Sequence, residues 1–217
     1  MQPAAKQDVI DRYQARLRKF GYSPQTLGWG KDGRQEVRFG VLASCALALP
    51  ESSVLDVGCG FADLYGFLIS NGWHGRYTGI DIVPGLLEVA RAQHPDLDLR
   101  EVDITGPIEG LPKHDFVIAS GVFNALLAEG DNPEHIRRAL GAMRDLSQIA
   151  VCADFLTSYV DFREPGLWYT DPCWALDVAK QLSRRVTVRH DYMPFEFCLF
   201  VFADDKFTSQ RVFGSLG

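Results

Sequence analysis

The sequence has no excess of basic side chains. Its 217 residues include 22 Lys and Arg against 28 Asp and Glu, which gives a net charge of −6. Proteins that bind nucleic acids usually carry an excess or a patch of Lys and Arg, because they must neutralise phosphates. The densest basic stretches, residues 16–19 and 184–185, are short. The composition therefore argues against a nucleic-acid partner.

Long apolar runs and paired cysteines are also missing. No apolar stretch approaches the roughly 18 residues that a membrane-spanning helix needs, and the first residues lack the apolar core of a signal peptide. The five cysteines are scattered, without CxxC spacing, which favours reduced thiols. No cluster of His, Cys and Asp has the spacing of metal ligands. We therefore expect a cytoplasmic protein that binds neither membrane nor metal.

Residues 54–64, VLDVGCGFADL, are typical of a nucleoside-cofactor site. The first four residues suit a strand buried in a parallel sheet. Gly58 and Gly60 then remove the Cβ atoms that would block a ligand, and they allow backbone angles that other residues avoid. A helix predicted over residues 61–71 would direct its free N–H groups at a ligand above the turn. This stretch predicts a small cofactor with a nucleoside group.

Hydrophobic periodicity and glycine or proline breaks predict alternating helices and strands. Only residues 191–194 separate the last two strands, so these strands should form an antiparallel hairpin, because a parallel crossover needs a dozen residues or more. The glycine-rich stretch 22–33 and residues 204–217 are predicted to lack regular structure. The predicted helices cover residues 7–20, 34–49, 61–71, 84–93, 133–146 and 172–182, and the predicted strands cover 54–57, 77–81, 97–102, 116–119, 149–155, 185–190 and 195–202.

These elements predict an α/β fold. We expect a doubly wound, Rossmann-like sheet of seven mostly parallel strands, which ends in the C-terminal antiparallel hairpin and carries helices on both faces. Residues 1–50 would form an N-terminal helical cover and residues 51–217 the main domain, and together they would make a single compact unit.

Four features, in this order along the chain, resemble the class I S-adenosylmethionine-dependent methyltransferases. They are the LDVGCG turn at residues 55–60, an acidic residue that ends the second strand (Asp81), an acidic residue that ends the third strand (Asp103), and the closing hairpin. The resemblance covers residues 52–203. It implies that S-adenosylmethionine is the cofactor and S-adenosylhomocysteine the product.

The resemblance also implies a set of cofactor-binding residues. Asp56 would accept a hydrogen bond from the cofactor ammonium, Asp81 would accept from both ribose hydroxyls, and Asp103 would accept from the adenine amino group. Both Asp81 and Asp103 also suit ordinary strand-end carboxylates, and that interpretation stays open. The expected cofactor-binding residues are Asp56, Gly58, Gly60, Asp81, Ile82, Asp103, Ile104, Ala119 and Ser120.

A nicotinamide dinucleotide site is the main alternative, because it too combines a glycine turn with an acidic residue after the second strand. Asp63 stands where the third glycine of that motif belongs, which leaves less room for a pyrophosphate and puts a negative charge beside it. The closing hairpin also does not belong to the all-parallel sheet of those proteins. The sequence therefore favours the methyl donor.

The acceptor site is expected between the N-terminal cover and the aromatic-rich loop of residues 157–171, which is long enough to suggest a function. Its aromatic rings would form an apolar pocket, and Arg163 would pair with an acceptor carboxylate. His190 is the candidate general base, although a carboxylate acceptor would need only positioning. The predicted acceptor-binding residues are Tyr159, Arg163, Trp168, Tyr169 and Tyr192.

Together these features predict an enzyme that methylates an O or N atom of a small molecule, in bacterial secondary metabolism. Residues 119–124, ASGVFN, lack the Asn/Asp-Pro-Pro-Tyr/Phe motif of enzymes that methylate amides and nucleobase amines. Two alternatives stay open: an enzyme that methylates protein or RNA, which the acidic composition disfavours, and a non-catalytic S-adenosylmethionine-binding protein. The protein is expected to be a monomer or a homodimer.

Overall fold

Seven strands form one sheet in the order β3-β2-β1-β4-β5-β7-β6. The computed structural model describes residues 1–28, 34–127 and 131–204. The strands are β1 (Val54–Val57), β2 (Tyr77–Asp81), β3 (Asp98–Glu101), β4 (His114–Ala119), β5 (Ser147–Leu156), β6 (Val186–Met193) and β7 (Glu196–Phe202). The helices are α1 (Pro3–Phe20), α2 (Arg34–Leu42), α3 (Ser44–Leu47), α4 (Asp63–Ser70), α5 (Pro84–Gln93), α6 (Asn132–Leu146) and α7 (Pro172–Leu182).

The predicted topology is confirmed. Strands β1 to β5 pair in parallel, whereas β7 is antiparallel to both β5 and β6. The chain proceeds outward from β1 to β3 and then crosses back to β4 on the other side of β1. A doubly wound sheet binds ligands where the strand order reverses, at the carboxyl ends of the strands. Here that point lies between β1 and β4.

Helices pack on both faces of the sheet, as the alternation of elements predicted. Successive strand residues point to opposite faces, so Val54 and Leu55 of β1 belong to two different buried clusters. One face is covered by apolar side chains of α2 to α5, namely Phe39, Leu42, Ala46, Leu64, Leu68, Leu87 and Ala90. The other face is covered by those of α6 and α7, namely Ile136, Ala139, Leu140, Met143, Ala175, Val178 and Ala179.

The predicted N-terminal cover, residues 1–50, packs against the rest of the protein in two places. Phe39, Leu42 and Ala46 are buried in the same cluster as the sheet, so α2 and α3 form part of the main helical layer. Helix α1 lies against the residues that follow β1 and β2. Leu17 of α1 packs there against a small apolar cluster that includes Phe61. The division of the chain at residue 50 stays a prediction.

Several element boundaries also differ from the prediction; α1, for example, begins at Pro3 instead of residue 7. The helix expected over residues 34–49 is broken at Ala43 into α2 and α3. Strand β6 continues to Met193, and its pairing with β7 shifts register between Arg189 and Met193, so residues 191–193 belong to the strand instead of the turn. Parts of the stretches predicted to be irregular, residues 29–33 and 205–217, lie outside the described residues.

Within the described ranges, none of the helices has both the length and the apolar character required to cross a membrane.

Candidate functional site

The glycine turn after β1 lies close to two neighbouring loops. Gly58 and Gly60 have φ angles of +70° and +54°, which residues with a Cβ atom rarely adopt. A Cβ at Gly58 would come within 2.5 Å of Val122 Cγ2, and one at Gly60 within 3.1 Å of Leu27 Cδ2. Glycine at both positions therefore keeps the backbone of the turn accessible. A cofactor that approaches this backbone needs that access.

The Asp81 carboxylate at the end of β2 holds this turn in place. Oδ2 accepts a hydrogen bond from the Gly60 N–H at 2.9 Å, and Oδ1 accepts one from the Val83 N–H at 2.9 Å. Burial raises the pKa of Asp81, and these backbone N–H groups partly offset the rise. Each carboxylate oxygen has a second lone pair, so Asp81 can still accept from two ligand hydroxyls.

Asp56 is almost fully buried in β1, directly before the turn. The Tyr77 hydroxyl donates a hydrogen bond to its Oδ2 at 2.5 Å. Burial raises the pKa of Asp56 to about 7, and the negative charges of Asp81 and Asp63 act in the same direction, whereas the bond from Tyr77 lowers it. A carboxylate held this way favours a cation beside it, because a positive charge would lower the cost of its ionisation.

Six of the nine predicted cofactor residues line one cavity at this point of the sheet, namely Asp56, Gly58, Gly60, Asp81, Ile82 and Ser120. We call it the cofactor cavity. The glycine cradle and the buried carboxylates fit a small polar cofactor with a cationic group. Helix α1 closes the cavity with Val9 and Tyr13.

The structure does not place Asp103, Ile104 and Ala119 in the wall of the cofactor cavity. Ala119 and Ile104 are buried in the core on the α6 side of the sheet. Both Thr105 donors, the N–H and the hydroxyl, bond to Asp103 Oδ1 at 2.9 and 2.8 Å. The amino group of Met1, which does line the cavity, lies 3.4 Å from Asp103 Oδ2. The role of Asp103 at adenine stays a prediction.

His135 of α6 lines the cofactor cavity although the sequence gave no reason to select it. Its side chain is 7% exposed, and its Nδ1 atom has no hydrogen-bond partner among the described residues. Burial lowers the pKa of His135 to about 4, and the chain amino group and Arg138 act in the same direction, against Asp103. The imidazole is therefore neutral near pH 7. A buried ring nitrogen without a partner points to a hydrogen bond with a ligand.

A second, larger cleft of about 790 Å³ adjoins the cofactor cavity. We call it the acceptor cleft. Tyr13, Leu27, Gly121 and Ala125 line both spaces, so the two meet beside α1 and the loop after β4. The loop after β5 forms the opposite wall of the cleft. It is joined to the loop after β4 by a hydrogen bond that the Leu126 N–H donates to Gly166 O at 3.0 Å.

Two predicted acceptor residues, Tyr159 and Tyr169, line the acceptor cleft. The other three do not. Arg163 is exposed and stacks over the Tyr169 ring at 5.5 Å. Trp168 packs against the core on the α6 side of the sheet, and Tyr192 packs against the cluster on the opposite face. Both rings pack on buried apolar surface instead, which the sequence alone did not indicate.

His190, the candidate base, is exposed on β6, the edge strand, and lines neither space. Its ring lies near those of Tyr159 and Phe197, with centroid distances of 6.1 and 5.9 Å. Because β6 lies four strands from β1, this position does not bring the imidazole to the junction of the two spaces.

A buried ionic cluster supports the loop after β4. The Arg38 guanidinium donates two hydrogen bonds to Glu196, and its Nε atom lies 3.1 Å from Asp154 Oδ2. Asp154 in turn accepts from the Gly121 N–H at 2.6 Å and from the Ser120 hydroxyl at 3.1 Å. Burial raises the pKa of Asp154 to about 6, and the positive charge of Arg38 limits the rise. The cluster therefore fixes Gly121, which lines both spaces, and Ser120, which lines the cofactor cavity.

In the described part of the chain, no group of three or more His, Cys, Asp or Glu side chains is arranged to hold a metal ion.

Comparison with known proteins identifies the family. Residues 54–145 match the model of a family described as a methyltransferase domain. A protein of Mycobacterium tuberculosis named "Putative methyltransferase Rv1506c" is 31% identical over 154 residues, which cover 69% of this chain and 92% of that protein. The chain belongs to this methyltransferase family. The predicted resemblance to class I S-adenosylmethionine-dependent methyltransferases is confirmed, and with it the predicted methyl donor.

Solved structures of other proteins share the fold. Magnesium protoporphyrin IX methyltransferase (ChlM) from Synechocystis, crystallised with S-adenosylhomocysteine, has a TM-score of 0.64 at 15% identity over 92% of this methyltransferase and 100% of that chain. The pyocyanin biosynthetic protein PhzM has a TM-score of 0.64 at 14% identity over 88% of this chain and 61% of its own. At such low identities, these likenesses show the architecture alone.

Proposed function

We propose that this methyltransferase transfers the methyl group of S-adenosylmethionine to an O or N atom of a small molecule that binds in the acceptor cleft. The observation that carries the proposal is the junction at Tyr13, Leu27, Gly121 and Ala125, where the cleft meets the cofactor cavity. A donor in the cavity and an acceptor in the cleft would meet at that junction, and methyl transfer depends on such positioning.

The size of the acceptor cleft supports a small molecule. Its volume of about 790 Å³ lies in the range of roughly 300–1,000 Å³ that small-molecule sites occupy. ChlM and PhzM, which share the fold, are described as acting on a porphyrin and in pyocyanin biosynthesis. We include a biosynthetic role in the proposal by analogy with these two proteins, and the net charge of −6 argues against RNA as the acceptor.

In this proposal the protein supplies binding and orientation. The carboxylates of Asp81 and Asp56 would hold the ribose hydroxyls and the ammonium of the cofactor. Tyr13 closes the junction from α1, and burial raises the pKa of its hydroxyl, which therefore remains a hydrogen-bond donor at neutral pH. Transfer forms a bond between the acceptor atom and the methyl carbon while the methyl–sulfur bond breaks and its electron pair returns to sulfur. A hydroxyl or amine acceptor also releases a proton.

A labelled donor tests the proposed function. The protein is incubated with a bacterial metabolite extract and S-adenosylmethionine that carries a trideuterated methyl group, and mass spectrometry follows the label. We expect it in a small molecule. Label found only in protein or RNA would contradict the acceptor class, and an absence of S-adenosylhomocysteine binding in calorimetry would contradict the activity.

Asp56 should make cofactor binding depend on pH. A bound ammonium would stabilise the ionised carboxylate and pull its pKa below the value of about 7 in the free protein. Binding near pH 6 should then release up to one proton, and the affinity for S-adenosylhomocysteine should fall by up to about tenfold per pH unit below pH 7. Calorimetry in buffers with different ionisation enthalpies measures both effects.

The Asp56→Asn variant is the control for this dependence, because an amide does not titrate. It should bind more weakly at about pH 7.5 and show a flat pH profile down to about pH 5.5. An equal pH dependence in the variant and the wild type would assign the effect to another group.

His135 should contribute to cofactor binding through its unpartnered Nδ1 atom. A neutral hydrogen bond contributes about 0.5–1.5 kcal/mol, so His135→Phe should weaken S-adenosylhomocysteine binding by about twofold to tenfold while the ring volume is largely kept. His74→Phe, which changes an exposed ring outside the cavity, should leave the affinity unchanged. Equal affinities of the His135 variant and the wild type would show that the ring only fills space.

A further inference from the structure

One wall of the acceptor cleft is lined by arginines. Arg12 and Arg16 come from α1, and Arg34 and Arg38 come from α2. This concentration of positive charge occurs in a protein with an overall charge of −6, so the composition does not explain it.

Arg34 and Arg38 already have contacts in the protein. Arg38 is held by Glu196 and Asp154, and the Arg34 guanidinium lies over the Phe195 ring at 5.0 Å. These two side chains shape the inner part of the wall.

Arg12 and Arg16 make weaker contacts. They lie one helical turn apart on α1, both are half-buried, and neither makes an ion pair with any described residue. Arg12 Nη2 has a long contact of 3.4 Å to Leu126 O, and the Arg16 guanidinium lies 5.6 Å from the Tyr13 ring centroid. Like charges at this spacing repel each other and weaken a helix. An anion between them would remove that repulsion.

Gly28 gives the Arg16 guanidinium its space. A Cβ on Gly28 would lie 2.9 Å from Arg16 Nη1, and the φ angle of Gly28 is +84°. Glycine at position 28 therefore leaves room for the guanidinium at the cleft.

The acidic residues of the cleft do not neutralise this pair. Glu196 is engaged by Arg38, and Asp161 and Glu164 are exposed on the opposite wall. Exposed carboxylates keep their hydration and contribute little to ion pairs, so they leave Arg12 and Arg16 able to bind a counter-charge.

We propose that the acceptor is an anion whose carboxylate or phosphate group is bound by Arg12 and Arg16. The assignment of the cleft to the acceptor rests on the proposed function, whereas the anion site itself rests on the two arginines. Guanidinium groups match both anions with paired, charge-assisted hydrogen bonds. Leu27, Leu156 and Phe195, which also line the cleft, would contact an apolar body. The pair takes the role that the sequence suggested for Arg163.

The test uses four small probes that share a phenyl ring: benzoate, phenyl phosphate, neutral benzamide and cationic benzylamine. Their binding to the full-length protein saturated with S-adenosylhomocysteine is measured by ligand-detected NMR titration. Benzoate or phenyl phosphate should bind at least about tenfold more tightly than benzamide and benzylamine, because the guanidinium bonds are charge-assisted. Comparison of the two anions shows which of them the pair prefers.

The variants assign the preference to the pair. Arg12→Gln combined with Arg16→Gln should abolish the difference between the anionic and neutral probes, and Arg12→Lys combined with Arg16→Lys should restore part of it. Arg18→Gln removes an equal charge from an exposed position of the same helix outside the cleft and should preserve the difference. S-adenosylhomocysteine affinity and circular dichroism confirm that each variant is folded.

Equal or tighter binding of benzamide or benzylamine, the absence of anion binding by the wild type, or an unchanged preference in the double glutamine variant would each overturn the proposal. Failure of the proposed function is distinct: the wild type would then bind no S-adenosylhomocysteine. In that case the same titration of the free protein still decides whether Arg12 and Arg16 bind anions.

Discussion

Replacing Asp81 with Asn should lower the affinity for S-adenosylhomocysteine at least about 100-fold. Charge-assisted hydrogen bonds contribute about 1.5–3 kcal/mol each, and two ribose hydroxyls would donate to this carboxylate. Both oxygens also accept backbone hydrogen bonds, from Gly60 and Val83. The amide of Asn would turn one of these acceptors into a donor that faces an N–H group, so the glycine turn would lose support as well.

Calorimetry with the full-length protein measures the affinity, and thermal unfolding separates loss of binding from loss of folding. Burial raises the pKa of Asp81, so removal of its charge also removes a cost to folding, and the change in stability should be much smaller than the change in affinity. Glu101, the exposed register partner of Asp81 on β3, provides the control: Glu101→Gln should bind normally. Affinity of the Asp81 variant within about threefold of the wild type would show that this carboxylate is only a strand-end cap.

Replacing Arg38 with Met should lower the free energy of unfolding by about 3–5 kcal/mol near pH 7.5, the cost of removing one partner from a buried ionic cluster. Asp154 and Glu196 are each 1% exposed and would lose the cation that balances their charges. For a chain of this length the loss corresponds to a decrease of roughly 10 °C in the unfolding midpoint.

The loss should shrink as the pH falls. The pKa of Asp154 is already raised to about 6 by burial, with Arg38 holding it down, and it rises further without the guanidinium. The folded variant then binds protons that its unfolded chain does not, between about pH 4 and pH 7 or above. In the wild type Asp154 takes up its proton near pH 6, so the variant gains stability relative to the wild type only as the pH falls from the higher pKa of its own Asp154 to about 6.

Urea unfolding at about pH 7.5 and about pH 5.5 measures both effects. Arg100→Gln is the matched control, because the ion pair of Arg100 with Asp98 is 40–43% exposed and such pairs contribute about 0–1 kcal/mol. A loss below about 1 kcal/mol for the Arg38 variant, or an equal loss at both pH values, would show that the buried carboxylates do not depend on Arg38.

The variant also tests how the cluster serves the site. Asp154 holds the Gly121 N–H and the Ser120 hydroxyl at the border of the cofactor cavity and the acceptor cleft. If the loop after β4 relaxes when Arg38 is absent, affinity for S-adenosylhomocysteine should fall below that of the Arg100 variant even under conditions in which both are fully folded.

The architecture was predictable because it depends on local signals. Turn glycines, strand-end carboxylates and the short connection between the last two strands each constrain the backbone where they occur. The sequence also showed the interval between Gly60 and Asp81, and a parallel sheet brings the carboxyl ends of β1 and β2 together. For this reason six of the predicted cofactor residues line one cavity.

The acceptor side was predicted less well, since loop side chains select their surroundings by long-range packing. Tyr159 and Tyr169 face the acceptor cleft, whereas Trp168, between them in sequence, turns to the core. Periodicity carries no information in such a loop, and burial of an aromatic ring is as favourable against the core as in a pocket. His190, selected by residue type, lies exposed on the edge strand.

The sequence by itself determined the methyl donor and the sheet that presents it, because the glycine turn, Asp81 and the closing hairpin act through backbone geometry and strand order. Only the tertiary structure brought His135 of α6 to the cofactor cavity, Arg38 to Asp154, and Arg12 and Arg16 to the acceptor cleft. Those contacts join residues far apart in the chain, and the packing of α1, α2 and α6 around the sheet decides which side chains meet.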